Sequence, residues 1–357
     1  VMELFSLIVL VLAISLIDLT SGRLIETDDY KIWTIPDDAA DITVDKTESG
    51  VAMIGGGADC YPAFSWLIEH ANGGDFVVLR VGGTDAYNQF VYDLSVSLNR
   101  TLNSVTTISW KNKQASYDEE VLTLLRNAEL IFFSGGDQGK YVEYWANTEV
   151  QTIVQEKLQN NVSVGGTSAG LAIQGDYIFS ALNGSVFSDD CLTEPYNKFM
   201  TFSNVFIQIP FLQNTITDTH FGARDRMGRM LTFLARLAKG DAVIGKQNPA
   251  TLDPKQMRAV ALDEQTALLL DIYTGKATTV GVNNAYICNP SHAAETCEED
   301  SPLTFTEVNC RRLSSKTRDV FDFATFTGDG VSYVNSIVAG EYTTSPYGPQ
   351  DTNLESK

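Results

Sequence analysis

Residues 162–170, VSVGGTSAG, decide the fold that this sequence predicts. A short run with β-branched residues ends there in Gly-Gly, and the same pattern recurs in VAMIGGG (51–57), DFVVLRVGG (75–83) and LIFFSGG (130–136). Short runs rich in β-branched or aromatic residues are typical of strands that are buried on both faces of a parallel sheet. The glycines then allow a tight turn at the carboxyl end of each strand.

Helical patterns separate these strands and cover residues 61–71, 87–101, 117–127 and 142–160. Alternation of strands and helices predicts an α/β fold, in which a doubly wound, mostly parallel sheet carries helices on both faces. Binding sites in such sheets lie beyond the carboxyl ends of the strands. The glycine-rich turns therefore mark the expected site.

Downstream segments extend this core. Residues 221–239 predict one more helix, and VALDEQTALLLD (260–271) predicts a strand pair or a strand and turn. Residues 176–210 are aromatic and irregular, as in an inserted loop or hairpin, and residues 288–318 form a Cys-bearing C-terminal excursion. These extra segments either cover the site or build an interface, as a homodimer would need. From Phe326 onward the sequence predicts edge strands or a loose end.

The composition indicates an acidic globular protein. The chain has 357 residues, 44% of them hydrophobic, with 25 Lys and Arg against 45 Asp and Glu, which gives a net charge of −20. A chain of this charge repels phosphate backbones, so we expect no nucleic-acid partner. The cysteines lack zinc-ligand spacing, and we expect neither a metal nor another cofactor.

The first 22 residues predict a signal peptide. Residues 4–17 form an uncharged apolar run of about 14 residues, which is short for a membrane span. An uncleaved anchor is the alternative. We therefore expect a secreted or lumenal protein without a stable membrane anchor, a single α/β domain over residues 23–340 and a flexible tail over residues 341–357.

Export predicts disulfides and glycans. Three of the five cysteines, Cys288, Cys297 and Cys310, lie close together, so we expect a local disulfide whose pairing the spacing does not give. Three Asn-X-Ser/Thr sequons are candidate glycosylation sites in an exported chain. They begin at Asn99, Asn161 and Asn183.

The segment 166–170 matches the G-x-S-x-G pattern of a nucleophile elbow, with Ser168 at its centre. Such a serine sits on a strained strand-to-helix turn, where the flanking glycines avoid clashes. The helix that follows offers backbone N–H groups to an oxyanion. The alternative is a tight turn with a structural role only.

A catalytic serine needs a base, and the chain has three histidines. His70 lies at a predicted helix end and His292 lies in the Cys-bearing excursion. His220 is the best candidate because it follows an apolar run and precedes a predicted helix, in ITDTHFGARDRMGR.

Charged residues surround this histidine. Asp218 precedes it, and Arg224, Arg226 and Arg229 follow within nine residues. Helical spacing predicts that Arg226 and Arg229 lie near one face, with Arg224 about one turn on from His220. Guanidinium groups bind carboxylates in a bidentate manner. The alternative is a solvated helix that pairs with nearby acids.

Two carboxylates are candidates for the group that orients the base. Asp263 and Glu264 interrupt an apolar strand, and periodicity does not choose between them. The turn SGGDQ (134–138) completes the set: its backbone could supply a second oxyanion donor, and Gln138 could contact substrate. The turn GGGADC (55–60) is similar but a weaker signal.

Together these motifs resemble the cyanophycinase branch of the serine peptidases that also include dipeptidase E. They occur in the order of that family and cover roughly residues 50–270. The motifs that carry the resemblance are GGGA (55–58), GGDQ (135–138), GGTSAG (165–170), D-x-HF-x-x-R-x-R-x-x-R (218–229) and DE-x-TA (263–267).

The resemblance implies a flavodoxin-like fold and hydrolysis of peptides with aspartyl, often β-aspartyl, linkages. It implies a nucleophile at Ser168, a base at His220 and an acid at Glu264, in a single peptidase domain. The substrate would be a peptide that bears carboxylate groups. Oxyanion donors would be the backbones of Gly136 and Ala169, and substrate contacts would be Gln138, Asp218, Arg224, Arg226 and Arg229.

The chain departs from the family at Thr219, where cyanophycinases usually have Gln, and this change puts the β-aspartyl preference in doubt. Two other functions compete with this hypothesis. An α/β-hydrolase esterase orders its triad as Ser, acid, His, which would require His292 as the base. A catalytically retired binding or structural protein would lack a triad member, and none is missing here.

Overall fold

The computed structural model describes residues 22–45, 49–240 and 253–349 of the chain. Residues 1–21 of the predicted signal peptide lie outside the described residues. The helices are α1 (Tyr61–Ala71), α2 (Ala86–Ser97), α3 (Glu119–Asn127), α4 (Gln138–Trp145), α5 (Glu149–Gln159), α6 (Ala169–Ala172), α7 (Ser188–Thr193) and α8 (Met227–Ala238). The strands are β1 (Arg23–Glu26), β2 (Tyr30–Ile35), β3 (Gly50–Ile54), β4 (Asp75–Val81), β5 (Ser104–Trp110), β6 (Leu130–Phe133), β7 (Ser163–Thr167), β8 (Tyr177–Phe179), β9 (Phe202–Asn204), β10 (Thr215–Asp218), β11 (Arg258–Leu262), β12 (Thr266–Asp271), β13 (Lys276–Gly281), β14 (Asn284–Pro290), β15 (Phe305–Ser314), β16 (Val320–Asp322), β17 (Thr327–Gly328), β18 (Val331–Val338) and β19 (Glu341–Tyr342).

The strands form two sheets. The first has the order β1-β2-β5-β4-β6-β7-β3-β12-β13-β16-β17, and the second has the order β19-β18-β15-β14-β11-β10-β8-β9. Within the first sheet, β5, β4, β6, β7 and β3 run parallel to their neighbours in this series, and the sequence predicts four of these five strands, all except β5. Antiparallel strands flank them on both sides. The fold is therefore mixed α/β, and the first sheet as a whole is mixed rather than mostly parallel.

Helices cover both faces of the parallel strands. In β4, Val77 and Leu79 belong to the same buried cluster as the apolar residues of α3, α4, α5 and α6. Phe76 and Val78 belong instead to a cluster with α1 and α2. This alternation follows from the two-residue period of a strand. Burial on both faces explains why these strands are continuous apolar runs in the sequence.

The second sheet packs against α8. Met230 and Phe233 of this helix are fully buried in one cluster with Ala259 and Ala261 of β11. The helix begins at Met227 rather than at residue 221, because Asp225 has a left-handed backbone with φ 45° that an α-helix does not accept. The predicted helix over 221–239 is therefore correct only in its second part.

Two further predictions need correction. The predicted helix over 142–160 is two helices, α4 and α5, because Asn147 between them takes φ 58°. Strands β1, β2 and β5 were not predicted. Buried polar residues such as Thr106 and Ser109 break the apolar run of β5, which hides its strand pattern in the sequence.

The Cys-bearing excursion is largely regular sheet. Its strand β15 pairs with β14, and a disulfide joins the directly opposed residues Cys288 and Cys310. This confirms the predicted local disulfide. From Phe326 onward the chain forms β17, β18 and β19, and two of these are edge strands, as predicted. No helix in the described parts of the chain combines the length and the apolar character that a membrane crossing requires.

Candidate active site

The site lies where the carboxyl ends of strands from both sheets meet. Strands β6, β7 and β3 are parallel neighbours, so the turns that follow them share one edge of the first sheet. Strands β10 and β11 are parallel neighbours in the second sheet and lead to His220 and Glu264. Backbone hydrogen bonds join the two edges, since the N–H of His220 donates to the carbonyl of Gly55 at 2.8 Å.

Ser168 has the backbone of a nucleophile elbow. Its φ is 53° and its ψ is −116°, directly between β7 and α6. A Cβ at Gly166 would lie 2.4 Å from the carbonyl oxygen of Gly170, and a Cβ at Gly170 would lie 2.0 Å from that of Phe133. Both glycines of the motif are therefore required by close backbone approach. A strained serine backbone of this kind costs about 1–3 kcal/mol and is typical of functional sites.

Three side chains form a hydrogen-bonded series. Ser168 Oγ lies 2.7 Å from His220 Nε2, and His220 Nδ1 lies 2.6 Å from Glu264 Oε1. A carboxylate only accepts hydrogen bonds, so Nδ1 carries the imidazole proton and Nε2 is left to accept from the serine hydroxyl. The structure thus brings together the predicted nucleophile, base and acid from three separate parts of the chain.

The neighbouring carboxylate has a different role. Asp263 accepts hydrogen bonds from the backbone N–H groups of Gly222 at 2.7 Å and Asn284 at 3.2 Å. Burial raises the pKa of Asp263, and these two hydrogen bonds partly oppose that shift. Of the two acids that the sequence left open, Glu264 is the one in contact with His220.

The charge state of the base depends on its surroundings. Burial lowers the pKa of His220, the hydrogen bond to Glu264 raises it, and the positive charges of Arg224 and Arg226 lower it further. The net direction is downward. The imidazole therefore stays neutral, and able to accept a proton, to a lower pH than an exposed histidine would.

The turn 55–57 packs against both the base and the acid. A Cβ at Gly56 would lie 2.5 Å from His220 Cε1, and a Cβ at Gly57 would lie 2.8 Å from Glu264 Cβ. The sequence showed this triple glycine only as a weak signal for a backbone donor. The structure gives it another role, which is to leave room for the imidazole and the carboxylate.

The predicted oxyanion donors lie beside the nucleophile. Ala169 is the first residue of α6, where a backbone N–H has no partner inside the helix. The loop after β6 lies against Ser168, because a Cβ at Gly135 would be 3.4 Å from the serine Cβ. Gly136 and Ala169 both line the cavity at Ser168.

A cavity of about 300 Å³ opens above the serine. The predicted substrate contacts Gln138, Arg224 and Arg226 line it, together with Ala181, Gly184 and Ser185 from the inserted segment. Its full lining is Gly136, Asp137, Gln138, Ser168, Ala169, Ala181, Gly184, Ser185, Thr219, His220, Arg224 and Arg226. The insertion therefore forms one wall of the site. Larger cavities, such as one of about 470 Å³, lie away from the triad.

Asp218 and Arg229 do not line this cavity, which corrects their prediction as substrate contacts. Both side chains are about 3% exposed, and Arg229 Nε donates to Asp218 Oδ2 at 2.8 Å while Nη2 donates to Oδ1. Burial would raise the pKa of Asp218, but the charge and hydrogen bonds of Arg229 hold it below its usual range. The pair lies beneath the site and fixes the strand end that leads to His220.

Arg226 connects this buried pair to the cavity. Its Nη1 donates to the Thr219 carbonyl at 2.8 Å and to the Thr219 hydroxyl at 3.1 Å, and it lies 3.5 Å from Asp218 Oδ1. Burial lowers the pKa of Arg226 to about 10, so the side chain remains charged at neutral pH. Arg224 is exposed and forms no ion pair with the residues that the structure describes.

His292 lies elsewhere. Its Nδ1 contacts the carbonyl of Ala293, and the ring packs on Phe305. Since Ser168 pairs with His220, the geometry does not support the esterase order of triad residues. Within the described ranges, no group of three or more His, Cys, Asp or Glu side chains is arranged to hold a metal ion.

Comparisons with known proteins point to one family. The model of peptidase family S51 matches residues 84–239. A cyanophycinase of Geminocystis herdmanii is 22% identical over 193 residues, which cover 52% of this chain and 67% of that protein. A cyanophycinase of Trichormus variabilis is 22% identical over 215 residues, 59% of this chain and 63% of that protein. The chain thus spans about two thirds of the curated relatives it matches.

One solved structure, a peptidase from an acI-B1 Actinobacterium, is similar over 67% of this chain and 90% of its own, with 16% identity and a TM-score of 0.46.

Proposed function

Because the chain is a cyanophycinase/dipeptidase E-like peptidase, we propose that it hydrolyses aspartyl or β-aspartyl bonds in small or acidic peptides through an acyl-enzyme. The observation that carries this proposal is the series Ser168, His220 and Glu264 next to two cavity-lining arginines. A nucleophile, an oriented base and a cationic pocket are the groups that such a reaction needs.

In the first step His220 Nε2 takes the proton of Ser168, and the serine oxygen attacks the scissile carbonyl. The N–H groups of Gly136 and Ala169 stabilise the oxyanion of the tetrahedral intermediate. His220 then gives its proton to the leaving amine, and the acyl group remains on the serine. Glu264 stabilises the imidazolium that forms during this step.

Water completes the reaction. His220 takes a proton from a water molecule, the hydroxide attacks the acyl ester, and the proton returns to Ser168 as the acid product leaves. The same oxyanion donors act again, because the second tetrahedral intermediate has the same charge in the same place.

The cavity supports a preference for carboxylates. Arg224 and Arg226 both line it, and a guanidinium binds a carboxylate through parallel N–H donors. The volume of about 300 Å³ is at the small end for ligand sites, which supports a short substrate. Thr219 lines the same cavity, so its short side chain is the feature that bears on the choice between α- and β-aspartyl bonds.

We further propose that the protein is exported and glycosylated. The disulfide between Cys288 and Cys310 is consistent with an oxidising compartment. The three sequon asparagines, Asn99, Asn161 and Asn183, are all exposed, which supports glycan attachment at each. The parallel strands with helices on both faces support a flavodoxin-like, doubly wound core.

The test is a panel of α- and β-aspartyl dipeptides, each with a control of the same shape in which an amide replaces the free carboxylate of the aspartyl residue, asparaginyl for the α series and isoasparaginyl for the β series. We expect wild-type protein to cleave aspartyl members faster than their amide controls, and the Ser168→Ala variant to cleave none. A neutral alkyl fluorophosphonate should label the wild type but not Ser168→Ala. Wild-type protein that binds aspartyl dipeptides yet takes no label would instead be a retired binding protein.

A further inference from the structure

The two cavity arginines sit on a loop that other parts of the chain hold in place. This arginine loop, residues 221–226, joins His220 to α8 and carries Arg224 and Arg226. Between them lies Asp225, whose left-handed backbone (φ 45°) interrupts the helical conformation before α8 begins. A loop with this conformation at a non-glycine residue needs external contacts to persist.

The C-terminal segment supplies one set of contacts. The hydroxyl of Tyr347 donates to Asp225 Oδ1 at 2.7 Å, and it accepts a hydrogen bond from the N–H of Met227 at 3.4 Å. The Tyr347 ring also packs edge-on against Phe221, with ring centres 5.8 Å apart. Tyr347 therefore contacts the first residue of the arginine loop, the residue that directly follows the loop, and the residue between the arginines.

The inserted segment supplies the second set. Ser188 at the start of α7 donates to the backbone carbonyl of Asp225, and the same hydroxyl accepts from the N–H of Arg229 at 3.3 Å. The insertion thus forms a hydrogen bond with the backbone of Asp225, and the C-terminal segment forms one with its carboxylate. Neither cavity arginine makes these contacts itself.

The C-terminal segment is firmly attached where it makes these contacts. Asn335 and Tyr333, both on β18, donate to the carbonyl of Pro346 at 3.0 Å and 3.3 Å. Gly348 is buried, and a Cβ there would lie 2.9 Å from the Tyr333 ring. The sequence predicts a flexible tail from residue 341, whereas residues up to 349 have defined positions against the second sheet.

We propose that Tyr347 is a positioning residue for carboxylate binding: through Asp225 it holds the arginine loop so that Arg224 and Arg226 face the cavity. Tyr347 lies outside the residues 84–239 that the family model matches, so this support belongs to the C-terminal part of the chain. The inference rests on the proposed function for the kind of substrate that the arginines bind. It does not require that the bound carboxylate be hydrolysed.

The experiment measures how succinate, a dicarboxylate, slows labelling of Ser168 by a neutral alkyl fluorophosphonate. Tyr347→Phe keeps the ring and removes only the hydroxyl. We expect the succinate concentration that halves the labelling rate to rise about tenfold in Tyr347→Phe, because a hydrogen bond to a charged group is lost. The labelling rate without succinate should stay within about twofold of wild type, since the triad is untouched.

Tyr30→Phe is the matched control. Tyr30 also donates to a carboxylate, Asp118, at 3.2 Å, but it lies on β2 away from the cavity. Its succinate response should equal that of the wild type. Asp225→Ala should lose protection by succinate as Tyr347→Phe does. Asp225→Asn keeps an oxygen that can accept from the Tyr347 hydroxyl, so it should keep most of the protection by succinate.

Two results would overturn the inference. One is equal protection by succinate in wild type and Tyr347→Phe. The other is a parallel loss of protection and of basal labelling, which would indicate a general structural role. The proposed function fails separately: wild-type protein that is labelled and protected by succinate but cleaves no aspartyl dipeptide would refute hydrolysis and leave the role of Tyr347 supported.

Discussion

Replacing Gly56 by alanine tests whether the imidazole needs the space that the turn 55–57 leaves for it. Gly56 has φ +98°, and an added Cβ would lie 2.5 Å from His220 Cε1 and 2.6 Å from Nε2. Contacts under about 3.4 Å are tighter than nearly all that real Cβ atoms make. The imidazole or the turn must therefore shift by about 0.9 Å, which is the difference between an ordinary contact of about 3.4 Å and the 2.5 Å from the added Cβ to His220 Cε1.

The size of the effect follows from the Ser168–His220 distance. That hydrogen bond is 2.7 Å long, so a displacement of about 0.9 Å along its axis brings it to about 3.6 Å, beyond hydrogen-bond range. A misplacement of about 1 Å at a reacting group costs on the order of 100-fold in rate. Separately, a side chain at this positive φ should cost the Gly56→Ala variant about 1–3 kcal/mol of folding free energy.

Gly82→Ala separates these two effects. Gly82 also has a positive φ, +68°, but a Cβ there would meet nothing within 4 Å. We expect both variants to lose stability in urea unfolding, Gly56→Ala more than Gly82→Ala because of its additional steric overlap, whereas only Gly56→Ala should lose about 100-fold in the rate at which a fluorophosphonate labels Ser168. Labelling of folded Gly56→Ala at the wild-type rate would refute the reasoning, because it would show that His220 does not need this space.

Three further predictions concern the base and its partners. Glu264→Gln should slow labelling of Ser168 by about 100-fold or more. Asp263→Asn keeps an acceptor for the Gly222 N–H, so its labelling rate should stay within about fivefold of the wild type. A larger loss in Asp263→Asn than in Glu264→Gln would make Asp263 the orienting acid. The labelling rate should fall in acid only below the ordinary histidine value of about 6.5, because the neutral imidazole is required and burial lowers its pKa. Arg224→Gln removes a positive charge that lowers this pKa, so the acid limb should move to higher pH, and a limb that stays or moves lower would contradict this assignment.

The sequence predicts the parallel core well because its signals are local. Each of β3, β4 and β6 is a short apolar run that is buried and is followed by a glycine-rich turn, whereas Gly165 and Gly166 lie inside β7, which continues to Thr167. The second sheet could not be predicted in the same way. The register of its pairs, such as β11 with β14, depends on contacts that no single segment encodes.

The sequence predicts the serine and the histidine from the residues themselves, whereas the choice of Glu264 as the acid comes only from the family resemblance, because periodicity does not separate it from Asp263. Asp263 and Glu264 are adjacent, and along a strand they would point to opposite faces. The decision comes from the turn between β11 and β12, where Gln265 takes φ 56° and its N–H donates to the carbonyl of Gly56 at 2.8 Å. This crossing from one sheet to the other directs Glu264 toward His220, and only tertiary structure reveals it.

The positions of the three arginines also could not be predicted from the sequence alone. Helical spacing predicts Arg226 and Arg229 near one face and Arg224 about one turn on from His220, but the left-handed backbone of Asp225 prevents an α-helix before Met227. Arg229 is buried and paired with Asp218, Arg226 bridges Asp218 and the cavity, and Arg224 reaches the cavity without an ion pair among the described residues. One buried carboxylate cannot neutralise two guanidiniums as well as it does one. Arg224 therefore brings to the cavity a guanidinium that Asp218 does not pair, beside the lining carboxylate of Asp137, and in a chain whose net charge is −20 this guanidinium is what would attract an acidic peptide.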